Sequence, residues 1–99
     1  MPITDELWRL IGSIPKGRVA SYGALGQALS TPCSGFLVGR WLAGCPADVP
    51  WWRVVAKDGR LPVWKRGAEV EREQIERLAR EAVEVVEGRV AMDRYEWLP

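Results

Sequence analysis

Apolar residues return every three or four positions at Leu7, Leu10, Ile11 and Ile14, which gives one side of a helix over 4–14. Thr4 stands where a capping hydroxyl is expected, and Asp5 and Glu6 put negative charge in the first turn, where the backbone dipole favours it. Pro15-Lys16-Gly17 ends that pattern. Ser21 is placed to cap a second helix over 22–29, with Leu25 and Leu29 inward; Thr31-Pro32 breaks it, and Ser34 can cap a third over 35–43. A loop then runs from Cys45-Pro46 to Pro50. Val54 and Val55, within 53–56, read as a short buried strand, and Lys57-Asp58-Gly59-Arg60 carries an Asp-Gly turn signal. A charged helix over 69–81 offers Val70, Ile75, Leu78 and Ala79 to the core, with Ala82 just beyond it, and pairs such as Glu73 with Arg77 brace its exposed side. Val83, Val85, Val86, Val90 and Met92, set around Glu87-Gly88, predict a small hairpin or extended tail ending in Tyr95 and Trp97, which serve packing.

This series predicts a mainly α chain with a small β element, one domain spanning 1–99 that contains a helix-turn-helix candidate. Two short helices joined by a tight turn are what such a motif needs, although the same pair occurs in helical domains that never meet DNA. The third helix is unusual because Gly35 and Gly39 lie one turn apart, each costing about 1 kcal/mol relative to Ala. The bare strip they leave suits either a recognition helix against a sugar-phosphate backbone or tight packing on a neighbouring helix.

Ninety-nine residues allow one core and little room for a second site. No apolar run is long enough to span a membrane and nothing near the start reads as a signal peptide, so a monomeric cytoplasmic protein is expected. The chain has no histidine, and its two cysteines, Cys33 and Cys45, do not form a CxxC pair. That disfavours a zinc site, a Ser-His-Asp triad and a Cys-His dyad, and no metal or cofactor is expected. The net charge of +1 conceals a split: 1–67 carries nine Lys/Arg against four Asp/Glu, and 68–99 five against nine. One basic face for a polyanion and one acidic face turned away is the arrangement this suggests. Within the basic part, Arg60, Lys65 and Arg66 surround Trp64 on a loop over 61–67, a pattern that holds phosphates while offering a stacking surface.

Pro50-Trp51-Trp52-Arg53-Val54 closely resembles the Pro-Cys-His-Arg-Val active-site motif of the O6-alkylguanine-DNA alkyltransferases, with the nucleophilic cysteine and its histidine both replaced by tryptophan. Ile14-Pro15-Lys16-Gly17-Arg18-Val19 and then Ser21-Tyr22-Gly23-Ala24-Leu25 look like that family's Ile-Pro-x-Gly-x-Val-x-Ser-Tyr-Gly-x-Leu segment, and Val38-Gly39 falls where its recognition helix has Val-Gly. The resemblance covers about residues 7 to 67. The tail 89–99 is similar to the alkyltransferase-like proteins that carry Trp for Cys. The resemblance implies a winged helix-turn-helix-like DNA-binding domain whose second helix enters the minor groove, and a protein that flips an O6-alkylguanine out of duplex DNA and holds it without alkyl transfer, flagging the lesion for nucleotide excision repair proteins. An indole can neither displace an alkyl group as a thiolate does nor relay a proton as imidazole does, so no enzyme activity is expected.

Position by position, the resemblance implies DNA contacts from Ser21, Tyr22, Gly35, Phe36, Gly39, Arg40, Lys65 and Arg66. It implies a lesion pocket built from Tyr22, Pro50, Trp51, Trp52, Arg53, Val54 and Trp64. Tyr22 would crowd the phosphate 3′ to the lesion, Trp51 would wall the pocket, Arg53 would be mainly structural, and Val54 would offer backbone groups to the guanine edge. Trp64 or Arg66 would contact the flipped purine. Three positions depart from the family. Phe36 stands for the arginine finger, so an aromatic wedge replaces a hydrogen-bonding one. Trp52 replaces a histidine that even non-catalytic relatives usually keep, and Cys45 replaces an asparagine. Trp8, Trp41 and Trp97 read as packing residues. Two other functions stay open: a winged-helix DNA-binding or regulatory module without lesion specificity, and an enzyme with Cys33 or Cys45 as a relocated nucleophile.

Overall fold

The computed structural model describes residues 2–62 and 67–99. Helix α1 (Ile3–Gly12) starts a residue earlier than the sequence predicts. Pro2 takes the extended capping conformation, and no side chain caps the helix, so Thr4 lies inside the first turn. Proline suits this edge because it has no N–H to leave unpaired. The helix stops at Gly12, where the Ser13 hydroxyl donates to the Arg9 carbonyl at 3.0 Å. Ile14 lies past the helix yet is buried.

The two serine caps form as expected. Ser21 Oγ accepts from the Ala24 N–H at 3.2 Å to open α2 (Tyr22–Ala28), and Ser34 Oγ accepts from the Leu37 N–H at 3.3 Å to open α3 (Gly35–Leu42). Between them the Cys33 N–H donates to the Gly26 carbonyl at 3.0 Å, and a Cβ added at Gly26 would collide with the Cys33 carbonyl. The tight turn therefore requires glycine inside α2.

Strand β1 (Ala20–Ser21) pairs in parallel with β2 (Val54–Val55), Ala20 opposite Val54 and Ser21 opposite Val55. The sequence does not announce β1, because two residues give no periodicity. A 3₁₀ turn (Trp51–Arg53) precedes β2, so the strand expected over 53–56 begins at Val54. Helix α4 (Ala68–Arg80) follows, then the hairpin of β3 (Val85–Val86) and β4 (Arg89–Val90) around Glu87-Gly88, and a short α5 (Met92–Tyr95) that no signal predicts. The end of the chain returns to β1: the Val19 N–H donates to the Tyr95 carbonyl and the Trp97 N–H to the Val19 carbonyl.

Alternation along a strand divides the interior. Ala20 and Val54 join Leu7, Ile11, Leu25, Val38 and Leu42 in one cluster, while Val19 and Val55 join Leu61, Leu78, Val83 and Val90 in another. The parallel pair is thus the partition between the three-helix layer and the α4–hairpin layer. Ala79 and Ala82, expected in the core, are exposed. The buried residue of that helix face besides Leu78 is Gln74, whose Nε2 donates to the Trp52 and Val54 carbonyls at 3.1 Å each. No helix among the described residues is long and apolar enough to cross a membrane.

Candidate nucleic-acid interface

Helix α3 turns Val38, Gly39 and Leu42 inward. That puts Phe36, 62% exposed, Leu37 and Arg40 on the outer side. The glycine strip does not face solvent. Gly39 is buried, and a Cβ at Gly35 would stand 3.0 Å from the Gly23 nitrogen and 3.1 Å from the Tyr22 Cβ, so Gly35 serves the packing of α3 on α2. Ser21 is buried with its hydroxyl committed to the cap. Tyr22 is half-buried and packs against the helical core. Of the contact residues the resemblance implies, Phe36 and Arg40 are presented outward, Tyr22 partly so, and Gly35, Gly39 and Ser21 shape the motif from within. Lys65, Arg66 and Trp64 lie outside the described residues.

The 3₁₀ turn gives its three side chains different surroundings. Trp51 and Trp52 meet edge to face, ring centroids 6.0 Å apart and planes at 86°. Trp52 Nε1 donates to Glu81 at 2.9 Å, and the Arg77 guanidinium lies 4.6 Å from the Trp52 ring centroid. Arg53 is buried; its Nε and Nη2 donate to both Glu81 carboxylate oxygens, the shortest contact being 2.7 Å, and its Nη1 donates to the Ile14 carbonyl at 2.9 Å. The Gly17 N–H adds another donor to Glu81 at 3.2 Å. Burial pushes the Glu81 carboxyl up, but the Arg53, Trp52 and Gly17 hydrogen bonds and the Arg53 charge outweigh it and hold it below the usual carboxylate range.

Sequence reasoning missed Glu81. One signal existed: Glu81 is the C-cap of α4, and a carboxylate at a helix C-terminus opposes the dipole unless a cation satisfies it. Val54 also differs from expectation. Its side chain is fully buried, its carbonyl accepts from Gln74, and its N–H donates to the Trp51 carbonyl, so neither backbone group is presented to a base.

On the other side of the turn lies a cavity of about 400 Å³, walled by Leu42, Cys45, Pro46, Trp51, Val70 and Glu73 among others. Its volume falls within the roughly 300–1,000 Å³ typical of small-ligand sites. Among the described residues of the implied pocket, Trp51 is the one that lines it. Pro50, Arg53 and Val54 are buried beneath the turn, and Trp52 is committed to Glu81 and Arg77. Neither Cys33 nor Cys45 is in a disulfide, and Cys45 sits in the cavity wall. Among the described residues no cluster of three or more His, Cys, Asp or Glu could hold a metal ion.

The profile of the family described as 6-O-methylguanine DNA methyltransferase, DNA binding domain, matches residues 2–83. The DNA base-flipping protein of Vibrio parahaemolyticus is 31% identical over 97 residues, which covers 95% of this chain and 94% of that one. Two solved structures from S. pombe match over the full length of both chains. Atl1 in complex with damaged DNA containing O6-carboxymethylguanine gives a TM-score of 0.83 at 25% identity, and ATL in complex with DNA gives 0.84 at 26%.

Proposed function

The chain belongs to the family of the 6-O-methylguanine DNA methyltransferase DNA-binding domain, and on that premise we propose that it is a non-enzymatic sensor of O6-alkylguanine. It binds duplex DNA through the α2–α3 helix-turn-helix from the minor-groove side, flips the alkylated nucleotide into the cavity beside Trp51, and releases it unrepaired. The observation that supports this reading is that Trp51, which the motif resemblance aligns with the nucleophile, forms a wall of a cavity at the C-terminal end of α3.

Flipping a base costs a few kcal/mol, less when alkylation has already weakened its pairing. Stacking on an aromatic wall returns about 1–3 kcal/mol per base. Phe36, exposed at the start of α3, can fill the gap left in the stack as apolar wedges do in other minor-groove binders. Alkyl transfer has no acceptor in this frame, since the Trp51 indole is not a nucleophile, and no histidine is present to take a proton from Cys45. A reversible complex marks the lesion and leaves removal to an excision system.

The test is the affinity for a duplex holding one O6-methylguanine against the same duplex with guanine, at one salt concentration. A preference of tenfold or more, about 1.4 kcal/mol, supports the sensor. Equal affinities would leave a general winged-helix DNA-binding module. A methyl mass increase on the protein after incubation would overturn the non-enzymatic assignment.

A further inference from the structure

The cavity wall holds one feature that neither stacking nor shape explains, the Glu73 carboxylate. Its companions at the wall, Leu42, Cys45, Pro46, Trp51 and Val70, are apolar or aromatic. In sequence Glu73 looks like half of an ordinary surface pair with Arg77, four residues on, and its side chain is 49% exposed. The structure ties that pair to the turn. Arg77 Nε donates to Glu73 Oε2 at 2.9 Å while the same guanidinium lies 4.6 Å from the centroid of the Trp52 ring, and Trp52 is itself fixed by its hydrogen bond to Glu81. A cation held against an aromatic face has few orientations open to it, so the carboxylate it grips is held at the cavity as well. A carboxylate offers about four lone-pair sites, more than one guanidinium N–H uses.

We propose that Glu73 selects the flipped base by accepting a hydrogen bond from its exocyclic 2-amino group, which among O6-alkylated purines narrows the ligand class to 2-aminopurines. This rests on the lesion-sensor reading. Alkylation at O6 removes the N1 proton of guanine, so the remaining edge atoms N1, N3, N7 and O6 all accept. The 2-amino group is then the one donor the base retains. Opposite a carboxylate, an acceptor-only edge is repelled and an amino edge is held by a charge-assisted hydrogen bond. Trp52 gains a function in the same step, as the platform that orients Arg77 and through it Glu73.

The experiment compares three duplexes that differ at one base, O6-methylguanine, O6-methylhypoxanthine (which lacks the 2-amino group) and guanine, with the wild type, Glu73→Gln and Glu73→Ala. The wild type should bind O6-methylguanine about tenfold more tightly than O6-methylhypoxanthine, the scale of one hydrogen bond to a charged group. Glu73→Ala should bring that ratio to within twofold, and Glu73→Gln, whose amide oxygen accepts without charge, should fall between. Alanine favours helix at an exposed site, so both variants should stay folded by circular dichroism. A merely structural role for the pair would weaken all three duplexes alike. A retained lesion preference with the purine ratio unchanged in Glu73→Ala, or near one in the wild type, overturns the assignment of Glu73 alone. Equal affinity of the wild type for O6-methylguanine and guanine overturns the sensor reading and this one with it.

Discussion

Glu81 draws together Gly17, Trp52 and Arg53, groups from two separate stretches of the chain, and so fixes the turn that carries Trp51. Both charges of the pair are almost buried, at 10% and 9% side-chain exposure, so removing one partner strands the other. Glu81→Ala should destabilise the fold by about 3–5 kcal/mol in chemical denaturation. The carboxyl has its pKa below the ordinary 4.5, so the native state binds fewer protons than the unfolded chain in acid. Its contribution is therefore complete above about pH 4.5 and is lost as the pH falls through the depressed value. The stability difference between the wild type and Glu81→Gln should shrink over that acid range; a constant difference would remove Glu81 as the titrating group. Trp51 could be singled out in the sequence because its flanking residues, Pro50 and Arg53-Val54, match the motif, and in the structure it lines the cavity. Glu81 was barely legible: its place at the C-terminus of α4 is the one local signal, and beside Glu69, Glu71, Glu73 and Glu76 nothing else separates a buried hub from a solvated face.

At the scale of elements, legibility follows the range of the interactions. The caps by Ser21 and Ser34 are local chemistry, visible in the sequence and present in the structure. Either serine changed to alanine should cost about 0.5–2 kcal/mol, with Ser34→Ala also loosening the start of α3 that carries Phe36. Strand β1 was not legible because it exists through its pairing with β2, more than thirty residues away. The Gly35–Gly39 strip was legible as a close approach with two partners open, DNA backbone or a neighbouring helix; at Gly35 the neighbour is α2. Gly26 makes the same point more sharply. An added methyl would meet the Cys33 backbone, which cannot swing aside as a flexible side chain could. Gly26→Ala should therefore destabilise the domain by about 1–3 kcal/mol, read as a lowered denaturant midpoint at unchanged slope. A midpoint equal to the wild type would show that the α2–α3 turn has room the structure does not reveal.

Across the whole molecule, the charge split and the partitioned core address the same question: which side meets DNA. The basic part, 1–67, supplies the helix-turn-helix and the strand pair, while the acidic part, 68–99, supplies α4, the hairpin and the returning tail. Not every basic residue is available to phosphate. Arg53 is buried on Glu81 and Arg60 is paired with Asp58, so net charge alone overstates the electrostatic footprint. Arg40 is different, exposed on α3 beside Phe36. Each phosphate neutralised by a cation contributes about −0.9 to the slope of log affinity against log salt. Arg40→Ala should reduce the steepness of that slope by about 1 for lesion and guanine duplexes alike, because a phosphate contact carries no base information. Arg80→Ala, at the far end of α4 in the acidic part, should leave the slope unchanged. If Arg80 rather than Arg40 moves it, DNA lies along α4, and the outward face of α3 is not the recognition surface.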